Sequence, residues 1–152
     1  MRRSVATLVL TFLVCAACGP SAERQEADRD EIKANLEVYL PLLGEAYATG
    51  NLELLREWAV EKEMARVMKR LDDLGAQGRR LVPTFRQVTV EDVNVWNNSN
   101  AFVSTVEVWD LQILAIGTEN VLAEELAQSN RVKYQLKRDE DHWRVLFRTI
   151  QE

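Results

Sequence analysis

At 152 residues, with 28% charged and 47% hydrophobic side chains, the chain has globular rather than disordered composition and the length of one domain. A chain of that size buries roughly two thirds of its unfolded surface, so it needs no metal or disulfide staple. Its 19 Lys and Arg fall short of its 24 Asp and Glu, a net charge of −5 that disfavours nucleic acid as the main partner.

Met1-Arg2-Arg3 is a basic start, and Val5 to Ala17 is an uninterrupted run of apolar and small residues. The run is shorter than the ~20 residues of a membrane span and has the length of a signal-peptide core. Its end, Leu13-Val14-Cys15-Ala16-Ala17-Cys18-Gly19, resembles a bacterial lipobox, in which small residues precede a cysteine that is diacylated and becomes the new N-terminus. Cys15 departs from that pattern, because Leu, Val or Ile is usual three residues before the lipidated cysteine. The resemblance implies a signal peptide over residues 1–17, membrane lipid held through acylated Cys18, and a cell-envelope location. Gly19 after the cysteine implies the periplasmic side of the outer membrane if the cell has two membranes. Two acyl chains anchor stably where one is marginal. Loss of Arg2 and Arg3 takes two cations from a net charge of −5, giving −7. The alternatives are an ordinary secretory peptide with Cys18 unmodified, or a Cys15/Cys18 redox or metal pair, which would need both thiols on a folded turn rather than in an export segment. Gly19 to about Asp28 is small, polar and charged without apolar periodicity, so residues 18–29 read as a tether and 30–152 as a single domain.

From Asp30 the apolar residues Ile32, Leu36, Tyr39, Leu40, Leu43 and Tyr47 recur at helical spacing with one buried face. Pro41 predicts a kink near Glu37 to Pro41, and Gly50 a left-handed stop. Asn51 is placed to cap a short helix through Leu52, Leu55 and Trp58. Val60, Met64, Val67, Leu71 and Leu74 form the stripe of a third helix, which Gly75 and Gly78 end.

Beyond Pro83 the period becomes two. Val88 to Trp96 reads as a strand whose alternation slips between Val90 and Val93, predicting a bulge near Asp92. Asn97-Asn98-Ser99-Asn100 is a turn by composition. Phe102 to Ile113 reads as a long strand with apolar residues on both faces, hence central and covered on both sides for part of its length. Gly117 to Ser129 reads as a connection with a helical turn at Val121 to Ala127. Val132, Tyr134 and Leu136 alternate with charged residues, Asp139 to His142 makes a hairpin connection, and Trp143 to Ile150 is the last strand.

Helices followed by an antiparallel meander make an α+β arrangement, with N-terminal helices packed on a curved antiparallel sheet. Tyr47-Ala48-Thr49-Gly50-Asn51, the strand Ala101 to Trp109, and the closing pair Val132 to Arg138 with His142 to Val145 together resemble the nuclear-transport-factor-2-like (cystatin-like cone) superfamily. The closing pair is also similar to the C-terminal domain of a chloroplast-division and cyanobacterial group within it. The resemblance implies a cone, and enzymes of this superfamily usually place an Asp, His or Tyr inside it.

Glu107 shares strand parity with Trp109, Leu111 and Ile113. If that face lines the cone, the carboxylate loses its water, as a general base or ligand anchor requires. The plainer expectation is an ion pair with a Lys or Arg of the next strand, or a rim position. Tyr47, Trp58, Trp109 and Tyr134 complete a candidate pocket, although core packing also explains them. His142, the only histidine, falls beside a charged hairpin and reads as solvated. With Asp139 and Asp141 it lacks a distant ligand to complete a metal set. There is no phosphate loop, HExxH motif or nucleophile elbow, so no catalytic set, metal or cofactor is assigned. Strand parity also aligns Arg131, Lys133, Lys137, Arg144 and Arg148 as one outward basic contact face, with Trp143, Val145 and Phe147 inward; the plainer reading is a wet face neutralised by Glu91 or Glu107.

The favoured reading is a membrane-anchored, non-catalytic envelope module that binds a protein partner or a small apolar ligand. The competing reading is a small-molecule enzyme or ligand-binding cone with Glu107 as acid/base or anchor. They part at one feature: a Glu107 deep in an apolar pocket beside a Tyr hydroxyl favours the second. A structural spacer would have a cone filled by side chains.

Overall fold

The computed structural model describes residues 22–140 and 142–151. The export segment and Cys18 lie outside the described residues. The element order is α1 (Ala22–Thr49), a short 3₁₀ turn (Leu52–Leu55), α2 (Glu61–Ala76), then four strands, β1 (Arg79–Trp96), β2 (Asn100–Ala115), β3 (Val121–Asp139) and β4 (His142–Gln151). The strands form one antiparallel meander in the order β1-β2-β3-β4. The α+β class with helices on a curved antiparallel sheet is the fold of the chain.

Helix α1 buries the stripe expected of it, with Ile32, Leu36, Tyr39, Leu40 and Leu43 all nearly inaccessible. It runs through Pro41, which lies on the exposed face, where the lost N–H leaves one backbone carbonyl to solvent. Gly50 ends it in the left-handed region, its N–H donating to the Ala46 carbonyl at 2.8 Å. Asn51 caps the 3₁₀ turn, its side chain accepting from the Glu53 N–H at 3.2 Å. Gly44 permits a close approach of α1 to the sheet: a Cβ there would stand 3.0 Å from the Pro83 carbonyl oxygen and 3.3 Å from the Trp109 ring.

The helix starts earlier than the sequence reading placed the domain. Residues 22–29 are helical rather than tether, and Asp28 is buried, accepting from Arg138 at 2.6 Å. Arg138 also bonds Glu31 at 2.6 Å and lies over the Trp143 ring. That long-range pair ties the first turns of α1 to the far end of β3, which no local periodicity reveals.

Bulges curve the sheet. The register slips at Phe85/Gln87 and Val90/Asp92 on β1, the second where the alternation predicted it. Further slips fall at Trp109/Leu111 and Ile113/Leu114 between β2 and β3, and at Gln135/Leu136 between β3 and β4. The turn at Asn97 and Asn98 has both residues at positive φ, as a tight two-residue hairpin requires.

Two strand expectations are corrected. Val121 to Ala127 is strand, not a helical turn: its Ala, Glu and Leu favour helix locally, but pairing with β2 from Leu114↔Val121 to Leu111↔Glu125 overrides that preference. Strand β2 is central in pairing but covered on one face only. Ala101, Val103, Thr105, Glu107 and Trp109 are buried, whereas Phe102 is 53% exposed and Val106 and Val108 are half-buried.

Candidate functional site

The concave side of the sheet faces α1 and α2 and encloses a cavity of about 430 Å³, open at one end. Its walls are largely apolar, with Leu43 from α1, Leu81 and Pro83 from β1, and Trp109, Leu111 and Ile113 from β2. Polar groups come from Glu107, Tyr47 and Arg148, and from Arg70, Glu124 and Gln128. The interior is not filled by side chains, which separates this molecule from a plain structural spacer.

Glu107 is 1% exposed. Its Oε1 accepts from the Thr105 hydroxyl at 3.2 Å and from the Tyr134 hydroxyl, and its Oε2 accepts from the Trp109 indole N–H at 3.0 Å. Residues 105, 107 and 109 share one face of β2, so strand periodicity alone brings three of these four groups together. Val103↔Tyr134 pairing places Tyr134 on the neighbouring strand, facing the same way. Burial first, then the Glu107 carboxylate, pushes the Tyr134 phenol well above its ordinary range, so it stays a donor. Glu107 is therefore neither at the rim nor paired with Lys or Arg; neutral donors satisfy it.

Beside it lies a second buried cluster that the sequence reading did not assemble. Arg148 Nε donates to Glu63 Oε1 at 3.0 Å, and Nη2 donates to the Tyr47 hydroxyl at 3.2 Å. The Glu63 side chain is 2% exposed and that of Arg148 is 18% exposed. Burial raises the Glu63 carboxyl above its ordinary value, and the Arg148 charge opposes that rise without cancelling it. Burial also raises the Tyr39 phenol, whose hydroxyl has no hydrogen-bond partner among the described residues. All three tyrosines of the chain thus gather in the interior. Glu63 had a readable signal, since it lies four residues before Val67 on the buried stripe of α2.

Of the candidate pocket, Tyr47, Glu107 and Trp109 line the cavity, and Tyr134 reaches Glu107 from below. Trp58 does not belong to it. It packs against His142 with ring centroids 5.7 Å apart, and its carbonyl accepts from the Val145 N–H at 2.8 Å. His142 is half-buried, its Nε2 lying 3.0 Å from the Glu57 carbonyl oxygen.

The continuous basic face is overturned. The slip at Gln135/Leu136 leaves Leu146 as an extra residue, so strand parity inverts beyond it: Leu136 pairs with Val145, but Tyr134 pairs with Arg148. Arg148 therefore points inward, and Phe147 lies beneath Arg66 and Lys62 of α2 rather than in the core. Arg144 is held by Asp139 at 2.7 Å and by the Arg56 and Ala59 carbonyls. Arg131 pairs with Glu91 at 3.1 Å, the neutralising partner foreseen for it. Lys133 and Lys137 remain exposed, and the outward row is broken.

An α+β cone with a cavity on its concave side is thereby defined, and solved structures share it. The intermembrane space region of chloroplast protein ARC6 superposes with a TM-score of 0.67 at 14% identity, covering 78% of this chain and 92% of that one. A periplasmic fragment of TraM gives 0.56 at 10% identity, covering 82% and 97%. An NTF2-like protein with a cystatin-like fold from Novosphingobium aromaticivorans gives 0.45 at 21% identity, covering 84% and 83%. These likenesses are of fold. No protein-family profile and no curated protein matches the chain. Among the described residues no helix is long and apolar enough to cross a membrane.

Proposed function

We propose that this chain is an envelope module, anchored through acylated Cys18, whose cavity binds a small, largely apolar ligand without transforming it. The observation that carries the reading is the cavity of about 430 Å³, a size and lining typical of small-molecule sites. Export from the cytoplasm agrees with the fold's occurrence in a periplasmic fragment and an intermembrane-space region.

The state of Glu107 supports binding over catalysis. A general base needs a lone pair facing the substrate. Here both carboxylate oxygens already accept from Thr105, Tyr134 and Trp109. The group orients the Trp109 wall of the cavity, and Arg148 is already neutralised by Glu63.

The test is saturable binding of neutral N-phenylnaphthylamine, read by energy transfer from tryptophan. Ile113→Trp, which fills the cavity, should abolish it while leaving the unfolding midpoint close to wild type; equal binding by both proteins refutes the reading. The anchor is tested by incorporation of a fatty-acid analogue into wild type and not into Cys18→Ser.

A second reading has one specific observation behind it: Glu107 lies deep beside the Tyr134 hydroxyl, the arrangement the enzymatic alternative required. If a bound ketone loses α-deuterium to water with wild type and not with Glu107→Gln, proton transfer is the function.

A further inference from the structure

Strand β3 spans 19 residues and β4 only 10. β4 pairs along β3 from Asp139↔His142 to Arg131↔Gln151 and no further. Beyond Arg131, β3 continues back to Val121, paired with β2 on one side and with no other strand among the described residues on its outer side. The outer edge of β4, by contrast, is covered: Ala59 bridges Val145, with Val60 N–H to the Val145 carbonyl at 3.0 Å and Val145 N–H to the Trp58 carbonyl at 2.8 Å. An open run of backbone donors and acceptors is a template for another strand.

Apolar side chains collect at that same edge. Of the eight exposed large apolar residues among the described ones, Ile116, Val121, Leu122 and Leu126 belong to this hairpin, and Ile150 closes β4 beside it. Leu126 is 64% exposed in a bulge where Ala127 has positive φ and its N–H donates to Asp110 at 2.8 Å. The bulge limits the regular edge to Val121 through Glu125, about the length of an ordinary strand.

The charge of the segment selects its partner. Glu119 to Asn130 contains Glu119, Glu124 and Glu125 and no Lys or Arg. Glu119 is paired with Arg80 at 3.0 Å, and Glu124 accepts from the Gln112 amide at 2.6 Å. Two copies of this edge would set like charges against each other, which disfavours self-pairing.

We propose that the outer edge of β3 from Val121 to Glu125 docks an extended, basic segment of a partner protein, which adds a strand in line with β4. Backbone hydrogen bonds supply the pairing, Leu122 and Leu126 the apolar contact, and Glu124 and Glu125 the preference for Lys or Arg. The site goes beyond the cavity reading and is separable from it, because edge pairing is read at backbone amides and cavity occupancy by the neutral probe.

The experiment is amide hydrogen exchange on the full-length protein in detergent, with short capped peptides of alternating Val and Lys or alternating Val and Glu. The Val-Lys peptide should slow exchange in Val121 to Glu125 by about tenfold at saturation, and the Val-Glu peptide should not. The double variant Glu124→Lys with Glu125→Lys should reverse that preference. No slowing by either peptide overturns the proposal, as does equal slowing by both. Protection of these amides that grows with protein concentration in the absence of peptide assigns the edge to a second copy and overturns it too.

Discussion

Replacing Arg148 by Met tests the interior electrostatics most directly. The substitution keeps much of the side-chain volume but leaves the Glu63 carboxylate, 2% exposed, without the guanidinium that now sits 3.0 Å away. Breaking one side of a buried ion pair costs about 3–5 kcal/mol, because the surviving charge remains desolvated. With a urea m-value of about 2 kcal/mol per molar, the midpoint should fall by roughly 2 M. The double variant Glu63→Leu with Arg148→Met removes both charges and should lie within about 1 kcal/mol of wild type. The effect should also depend on pH. Glu63 has a folded-state pKa above its model value of 4.5, so the folded protein holds this proton more tightly than the unfolded chain. The associated stability is fully present below 4.5 and is lost as pH rises through the folded pKa. Removing Arg148 removes the group that opposes the rise, so the deficit of Arg148→Met should be largest at neutral pH and shrink towards 4.5. Tryptophan fluorescence during urea unfolding at a series of pH values reads all of this. A single-variant cost below about 1 kcal/mol, or a double variant as unstable as the single, would refute the argument.

Gly44→Ala should destabilise by about 1 kcal/mol despite the better helix propensity of Ala, because the new methyl meets the backbone carbonyl of Pro83 rather than a movable side chain; thermal unfolding measures it. Asp28→Ala should cost about 1.5–3 kcal/mol through loss of the charged hydrogen bond to Arg138, whereas truncation up to Glu26 should cost little, since Glu23 to Glu26 are exposed. Equal costs for these two changes in urea unfolding would return the first turns of α1 to the status of a tether.

Periodicity carried most of the helical layer. The stripe from Ile32 to Tyr47 needs only 3.6-residue spacing to be read, and Gly50 and Asn51 mark the helix end and the next cap by chemistry confined to a few neighbouring residues. The bulge at Val90/Asp92 was legible for the same reason, as a break in a period of two. The cluster of Thr105, Glu107 and Trp109 was half legible: parity on β2 put Glu107 and Trp109 on one face, and the phenol that completes the set comes from a strand 27 residues later.

The N-terminal export pattern, the class of fold and the inward face of β2 follow from the order of residues alone, because each rests on local spacing. The position of Arg148 does not. A single extra residue at Leu146 inverts every side chain after it, and the slip is visible only once β4 is paired with β3. The strand at Val121 to Ala127 is likewise a tertiary outcome, since its composition favours helix and only β2 supplies the partner that makes it a strand. The tie between Asp28 and Arg138 spans 110 residues of sequence, and a contact at that separation is set by how the sheet curves, not by any pattern within either segment.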